Sequence, residues 1–161
     1  MTMNIIVTGD EQLTARFSRI GPQLHAGLLS EITEISEDLE NYIKNDKLLG
    51  QVLNQRSGAL RESIHNDVTD QGSTITGRIF SAAPMPYAAI HEYGGTIPAH
   101  VVEPVEAAAL HFIWGGEEVF FKKVNIPAID MPERSYMRSA LADSKAEIVN
   151  RLRGVVATAI E

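Results

Sequence analysis

The sequence contains no cysteine among its 161 residues, which excludes disulfides, thiolate catalysis and cysteine-ligated zinc. Long apolar runs are also missing, and none approaches the roughly 18 residues that a membrane-spanning helix needs. The N-terminus carries no basic segment before its short apolar run Ile5–Val7, so we expect no secretory signal. These absences predict a protein that is made in the cytosol and has no membrane partner.

Basic residues are in the minority: 14 Lys and Arg stand against 21 Asp and Glu, for a formal net charge of -7. Nucleic-acid phosphates require a basic protein surface, so we expect no direct nucleic-acid binding. The basic residues concentrate towards the C-terminus, whereas acidic residues crowd an earlier predicted helix between positions 31 and 40. These two elements can pair within one chain or between neighbouring copies, or they can form two solvated helix faces.

Hydrophobic periodicity predicts a long N-terminal helix. Apolar residues recur at steps of three and four from Leu13 to Ile43, which is typical of an apolar stripe on one helix face. Gly21-Pro22 interrupts the stripe and predicts either a kink or two consecutive helices. The stripe is longer than a small sheet can cover, so we expect part of it to meet another subunit.

The middle of the chain carries strand and turn signals. Ser57 is a candidate cap for a short helix that places Leu60 and Ile64 on one side. The β-branched residues of Ser73–Ser81 predict a strand. The segment Trp114–Glu118 contains a Gly-Gly pair and predicts the turn of a hairpin between two apolar arms, Val105–Ile113 and Val119–Val124.

A second amphipathic stripe predicts a C-terminal helix that begins at Glu133 or Ser135. Strands gathered between two helices favour an α+β fold, with one small, mainly antiparallel sheet packed by the two long helices. The run Ile5–Val7 predicts a further short strand. We predict a single domain over residues 1–161, with loops near 96–104 and 125–134.

The segment from Pro84 to Gly95 predicts a corner. Two prolines end the element before it, because proline fixes φ and lacks an amide donor. A run of one or two helical turns follows and closes on two glycines, which accept backbone conformations that other residues avoid. Three polar or half-polar residues lie at this change of direction, where proteins place binding groups as well as plain corners: His91, Glu92 and Tyr93.

The pair His91-Glu92 invites comparison with a zinc-protease helix, in which a second histidine follows the first by four residues. That position is Gly95, so the motif fails. A looser set of His91, Glu92 and His100 leaves a metal-dependent hydrolase as an alternative. The sequence holds neither a Gly-x-Ser-x-Gly nucleophile elbow nor a Gly-rich phosphate loop. We therefore expect a protein that is not an enzyme, with no catalytic residues, no cofactor and no metal.

Four blocks in sequence order resemble a family of small phage tail proteins. The blocks read Arg56-Ser-Gly-Ala-Leu-Arg-Glu-Ser-Ile64, Tyr87-Ala-Ala-Ile-His-Glu-Tyr-Gly-Gly-Thr96, Phe120-Phe-Lys-Lys-Val-Asn-Ile-Pro-Ala128 and Arg134-Ser-Tyr-Met-Arg-Ser-Ala-Leu141. Their order and spacing resemble the tail-completion and virion-morphogenesis minor tail proteins of tailed bacteriophages, including the Mu-type morphogenesis and lambdoid tail-component proteins. The resemblance covers the chain from Arg56 to the C-terminus.

The resemblance implies a structural virion protein at the head-proximal end of the tail, acting in tail completion, in tail termination or in head–tail joining. The implied partners are further copies of the chain in a ring of six, the tail-tube protein, and the head-connector or neck proteins. The implied location is the virion tail or neck, after assembly in the host cytoplasm. A monomeric or dimeric regulatory module of a mobile element is a further alternative.

The resemblance, together with the position of aromatic and basic residues at turns and helix starts, gives a set of expected subunit, tail or head contacts. These residues are His91, Glu92, Tyr93, Gly94, Gly95, Trp114, Arg134, Tyr136 and Arg138.

Overall fold

A computed structural model describes residues 10–53, 58–82 and 86–160 of the chain. Over these residues the protein is α+β, as the sequence predicts, with long helices near both ends and antiparallel strands between them. The described residues divide into two compact units. Unit 1 holds the residues up to position 85 and those from Tyr136 onward, and unit 2 is Pro86–Ser135. The predicted strand Ile5–Val7 and the candidate cap Ser57 lie outside the described residues.

Helix α1 spans Asp10–Tyr42 and continues through Pro22 as one element. The alternative of two consecutive helices is therefore wrong, whereas the kink at Gly21-Pro22 stays a prediction. Proline inside a helix removes one backbone hydrogen bond, but an amphipathic helix draws most of its stability from packing, which the half-buried and buried residues after Pro22 supply. The chain then continues as a π-helical segment, Ile43–Gln51, in which Leu49 and Gly50 leave helical geometry.

Unit 1 is built by packing against α1. Helix α2 spans Ala59–Glu62, strands β1 and β2 span Ile64–Asp70 and Ile75–Ser81, and helix α4 spans Met137–Ile160. The two strands pair with each other in antiparallel register, and both contact α1, as does α4. The buried core of this unit consists of Ile43, Leu48, Ile64, Tyr136 and Ala140.

Arg151 joins the C-terminal helix to the acidic face of α1. Its guanidinium donates hydrogen bonds to Glu31 and, over 2.6 Å, to Asp38, and Glu34 lies 3.5 Å away. The bonds to Asp38 and then Glu31 raise the pKa of Arg151 above its ordinary value. At Arg151, the basic C-terminal helix and the acidic helix therefore pair within one chain, which is one of the alternatives that the sequence left open.

Unit 2 consists of a short helix and six short strands. Helix α3 spans Pro86–Tyr93. The strands are β3 (Gly95–Ile97), β4 (His100–Val102), β5 (Leu110–Trp114), β6 (Glu117–Phe121), β7 (Val124–Ile126) and β8 (Ile129–Met131). They pair antiparallel as β3 with β8, β4 with β7, and β5 with β6.

The strands of the described residues thus form four two-stranded ladders and not one small sheet. The segments predicted as loops, near 96–104 and 125–134, contain β4 and β8 entirely and parts of β3 and β7. Three-residue strands are too short to show a hydrophobic period, so the sequence carried no signal for them.

The ladders of unit 2 follow one another along a single ribbon. Gly95 pairs with Met131 and His100 pairs with Ile126, so the same register runs through β3–β8 and β4–β7. The ladder is interrupted where Pro98 and Pro127 stand, because proline cannot donate a ladder hydrogen bond. After the segment 103–109 on one side, β5 and β6 close the ribbon as a hairpin. We call this ribbon, residues 95–131, the β arm.

Candidate functional site

Hydrogen bonds close the root of the β arm, where helix α3 ends. The carbonyl oxygen of His91 accepts a hydrogen bond from the backbone amide of Arg134 over 2.7 Å. The carboxylate of Glu92, which is only 4% exposed, accepts a hydrogen bond from the Ser135 hydroxyl over 2.7 Å. The end of α3 is thereby tied to the chain that leaves the arm. Because Glu92 is buried and hydrogen-bonded within the corner, the prediction that it contacts a partner is corrected.

Gly94 makes this close approach possible. Its φ is +69°, in the left-handed region, and a Cβ atom there would lie 2.9 Å from the Glu133 amide nitrogen and 3.1 Å from the Met131 carbonyl oxygen. Gly95 follows with a φ of +141°. The sequence prediction that these two glycines take conformations that other residues avoid is confirmed.

His91 contributes an unsatisfied polar atom to the corner. Its Nδ1 is buried and has no hydrogen-bond partner. Burial, and then the positive charge of Arg134, hold the pKa of His91 below its ordinary value. The imidazole is therefore neutral at pH 7, and its protonation would oppose the closed corner.

The structure does not gather the residues of the metal alternative into a cation site. Within the described ranges, no group of three or more His, Asp or Glu side chains is placed to hold a metal ion. The Nδ1 of His100 lies 3.0 Å from the Pro98 carbonyl oxygen, which gives that ring a local partner. Glu92 is bonded to Ser135.

The other predicted contact residues fall into two groups. Tyr93 is exposed beside the corner, and Arg134 and Arg138 are exposed at the end of unit 2 and in the first turn of α4. Tyr136 is only 1% exposed, and the prediction that it contacts a partner is corrected. Its ring packs in the core of unit 1 with Ile43 and Ile64, so it presents no surface.

Trp114 lies at the far end of the arm, where the hairpin turns. It is 74% exposed and pairs across the ladder with Glu117. Between them, Gly115 and Gly116 have φ values of +62° and +92°, which are the signs that a two-residue type I′ turn requires. The predicted Gly-Gly hairpin turn is confirmed, but the arms of the hairpin are Leu110–Trp114 and Glu117–Phe121, which are shorter than the predicted ones. We call residues 113–118 the hairpin tip.

Both faces of the hairpin carry aromatic rings. On one face Phe112 stacks on Phe121, with ring centroids 5.5 Å apart. On the other face His111 stacks on Phe120 at 4.7 Å, and the Phe120 side chain remains largely exposed. A hairpin of a globular domain normally buries one face and exposes a polar one. The hairpin of this protein instead keeps apolar surface exposed.

The contacts expected from the sequence include Trp114 but not the exposed Phe120 and Phe121. A signal was present: apolar residues occupy successive positions of β5 and β6, where a half-buried strand would alternate. That pattern suits either a strand buried on both faces or one that meets a partner on both faces.

Comparison of the chain with protein-family models, with curated proteins and with solved structures found no match. Of the helices that the structure describes, none combines the length and the apolar character needed to cross a membrane.

Proposed function

We propose that the protein is a structural component of a phage tail that acts at the head-proximal end, in tail completion, tail termination or head–tail joining. It works as a ring of identical subunits, and it is not an enzyme. The observation that carries this proposal is the β arm, a two-stranded ribbon with exposed aromatic residues on both faces of its hairpin.

A two-stranded ribbon has little stability of its own in water, because it cannot cover its apolar side chains. Exposed aromatic surface of this kind marks places where another protein packs. The root of the arm is closed by hydrogen bonds at His91 and Glu92, so the arm begins from a fixed corner. A fixed root and an uncovered hairpin suit a subunit that joins a larger assembly.

The resemblance to tail-completion and virion-morphogenesis proteins supplies the kind of assembly. The block from Tyr87 to Thr96 coincides with α3 and the corner, and the block from Phe120 to Ala128 covers part of the returning half of the arm. The blocks of the resemblance therefore coincide with the elements that this proposal uses. The proposed partners are further copies, the tail-tube protein and the neck proteins.

The state of the purified protein tests the ring. We expect native mass spectrometry and negative-stain microscopy to show closed rings of about six copies, alone or after addition of tail tubes. A protein that stays monomeric at high concentration, and also in the presence of tubes, would contradict the proposal.

A further inference from the structure

We infer that the hairpin tip of one copy docks into a cleft between α1 and α4 of the next copy. This inference rests on the proposed ring, and it names the contact that builds it. The hairpin tip belongs to unit 2, and the cleft belongs to unit 1.

The hairpin tip offers an indole beside a carboxylate on one face and a second carboxylate on the other face. Trp114 and Glu117 are directly opposite across the ladder, so their side chains leave the same face of the hairpin. Glu118 follows on the other face, opposite Ile113, and both side chains are exposed. The tip is therefore an apolar and acidic surface held by a two-residue turn.

The cleft in unit 1 has the complementary character. It has a volume of about 420 Å³ and is open to solvent. Apolar lining comes from Ala15 and Ile20 of α1 and Ala159 of α4, and positive charge comes from Arg16 and Arg19. The described lining residues include no carboxylate.

Arg16 and Arg19 differ in their contacts. Arg16 donates from Nη2 to the carbonyl oxygen of Ile160, over 2.6 Å, and so holds the end of α4 beside α1. Arg19 lies one turn further along the same face of α1, and its side chain is exposed. A guanidinium can pair with a carboxylate and stack on an indole face at the same time. Arg19 is therefore the residue best placed to receive Trp114 together with Glu117.

The contact joins two different surfaces, so it is head-to-tail. Repetition of a head-to-tail contact produces a ring when the rotation closes. The inferred docking thus covers part of the exposed hairpin, and it also uses the N-terminal half of α1, whose apolar stripe was expected to meet another subunit. The occupant is a second copy of the chain because the acidic tip and the basic cleft are both present in every subunit.

Charge exchange between separate chains gives a direct test. The first variant carries Glu117→Arg and Glu118→Arg, and the second carries Arg16→Glu and Arg19→Glu. Each variant alone should assemble at least about tenfold less than the natural chain, because like charges then face each other. A mixture of the two should recover assemblies that contain both variants in equal number, since every tip then meets a cleft of opposite charge.

Each reversed chain must first be shown to fold. Circular dichroism of each variant alone should match the natural protein, and Arg19→Glu without the change at Arg16 provides a variant that leaves the Ile160 contact in place. A matched control reverses Lys122 and Lys123, which lie on the arm between β6 and β7. This control should assemble normally. Failure of the mixture to assemble, with both chains folded, would overturn the inference.

Photocrosslinking distinguishes the occupants. A benzophenone amino acid replaces Trp114, and light and heavy isotope-labelled chains are mixed before illumination. We expect crosslinks between light and heavy chains, at residues 15–23 or 158–159. Crosslinks confined to one isotope label, or directed to another surface or protein, would overturn the contact between copies. Rings that survive both charge reversals would leave the proposed function standing and contradict this contact alone. A reciprocal dimer crosslinked at the cleft would support the contact and contradict the proposed ring.

Discussion

The backbone amide of Arg134 donates a hydrogen bond to the carbonyl oxygen of His91 over 2.7 Å, and this bond closes the root of the β arm. It joins the end of α3 to the segment that follows β8, so the two strands at the base of the arm begin and end at one corner. The side chain of His91 is part of the same corner, and its neutral state is favoured there. Stability of the corner and presentation of the arm are therefore connected.

Replacement of Gly94 by alanine should open the corner. The left-handed φ alone costs about 1–2 kcal/mol for a residue with a Cβ, and the Cβ would also approach the Glu133 amide nitrogen at 2.9 Å. Gly115→Ala is the matched control, because its φ of +62° is similar and nothing lies within 4 Å of the added atom. Native-state hydrogen exchange of the β3 and β8 amides should show a larger loss of protection in Gly94→Ala. If Gly115→Ala reduces the protection of the β5 and β6 amides as much as Gly94→Ala reduces that of the β3 and β8 amides, the close approach at Gly94 is contradicted.

Acid should loosen the corner through His91. The folded pKa is lowered from 6.5, so the closed corner is fully stable above that pH and loses stability as the pH falls below it. The opening equilibrium should rise by at most about tenfold per pH unit in this window. His91→Phe should remove this dependence while it keeps a ring in place. Hydrogen exchange of the β3 and β8 amides between pH 7.5 and 5, corrected for intrinsic exchange rates, measures the opening equilibrium in the natural protein and in the variant. An identical pH dependence in the two would refute the assignment.

Loss of Arg151 should weaken the packing of α4 on α1. Its guanidinium bonds to Glu31 and Asp38, and the partly buried Glu31 would lose its partner. We expect Arg151→Ala to lower the free energy of unfolding by about 1–2 kcal/mol, since a network of charged hydrogen bonds exceeds a single surface pair. The exposed Arg153, two residues further along α4, supplies the control. Arg153→Ala should change the free energy of unfolding by less than about 0.5 kcal/mol. Urea unfolding followed by circular dichroism tests this, and equal effects would argue against the network.

The stability of the protein should depend on the pairing of the buried Lys47 ammonium with Asp143. Lys47 is 4% exposed and donates to Asp143 over 2.7 Å, and the Tyr42 hydroxyl donates to the same oxygen over 3.1 Å. Burial opposes the charge of Lys47, but the bond to Asp143 and the contribution of Tyr42 outweigh it and raise the pKa of Lys47. Asp143→Asn should therefore lower the urea midpoint, whereas Lys47→Met should leave the free energy of unfolding within about 1 kcal/mol.

The pH dependence of this pair has a definite sign. The bond from Lys47, and then that from Tyr42, lower the pKa of Asp143 below 3.8, so its stabilisation is present above that pH and is lost as the pH falls through the lowered pKa. The difference between the natural protein and Asp143→Asn should shrink in acid below that pH. The instability expected of Asp143→Asn comes from a buried Lys47 charge that has lost its partner. A Lys47→Met variant that is equally unstable would contradict this explanation.

The sequence predicted the elements that carry a long or distinctive signal. The stripe from Leu13 to Ile43, the C-terminal helix and the Gly-Gly hairpin were all recognisable, because helical periods and type I′ turns are local properties. Strand β1 was missed, since its inward positions include the polar Asn66, whose amide is satisfied by Glu40 over 2.6 Å. Such a partner, 26 residues away, is not visible in a local pattern.

The candidate site was predictable in its corner but not in its surroundings. Gly94 and His91 stood out because prolines and glycines frame them. The burial of Tyr136 depends on contacts with Ile43 and Ile64, which are far away in the chain, so its local sequence suggested an exposed helix start. The arm itself was not predictable, because its register is set by pairing between residues that are 22 to 36 positions apart in the sequence.

Electron microscopy of particles produced without this protein tests the central claim most directly. If the protein completes the head-proximal end of the tail, its absence should give either overlong tails, which indicates a role in termination, or tails of normal length beside filled heads, which indicates a role in joining. Supplying the natural chain should restore complete particles. Particles that are complete and infectious without the protein would contradict the account.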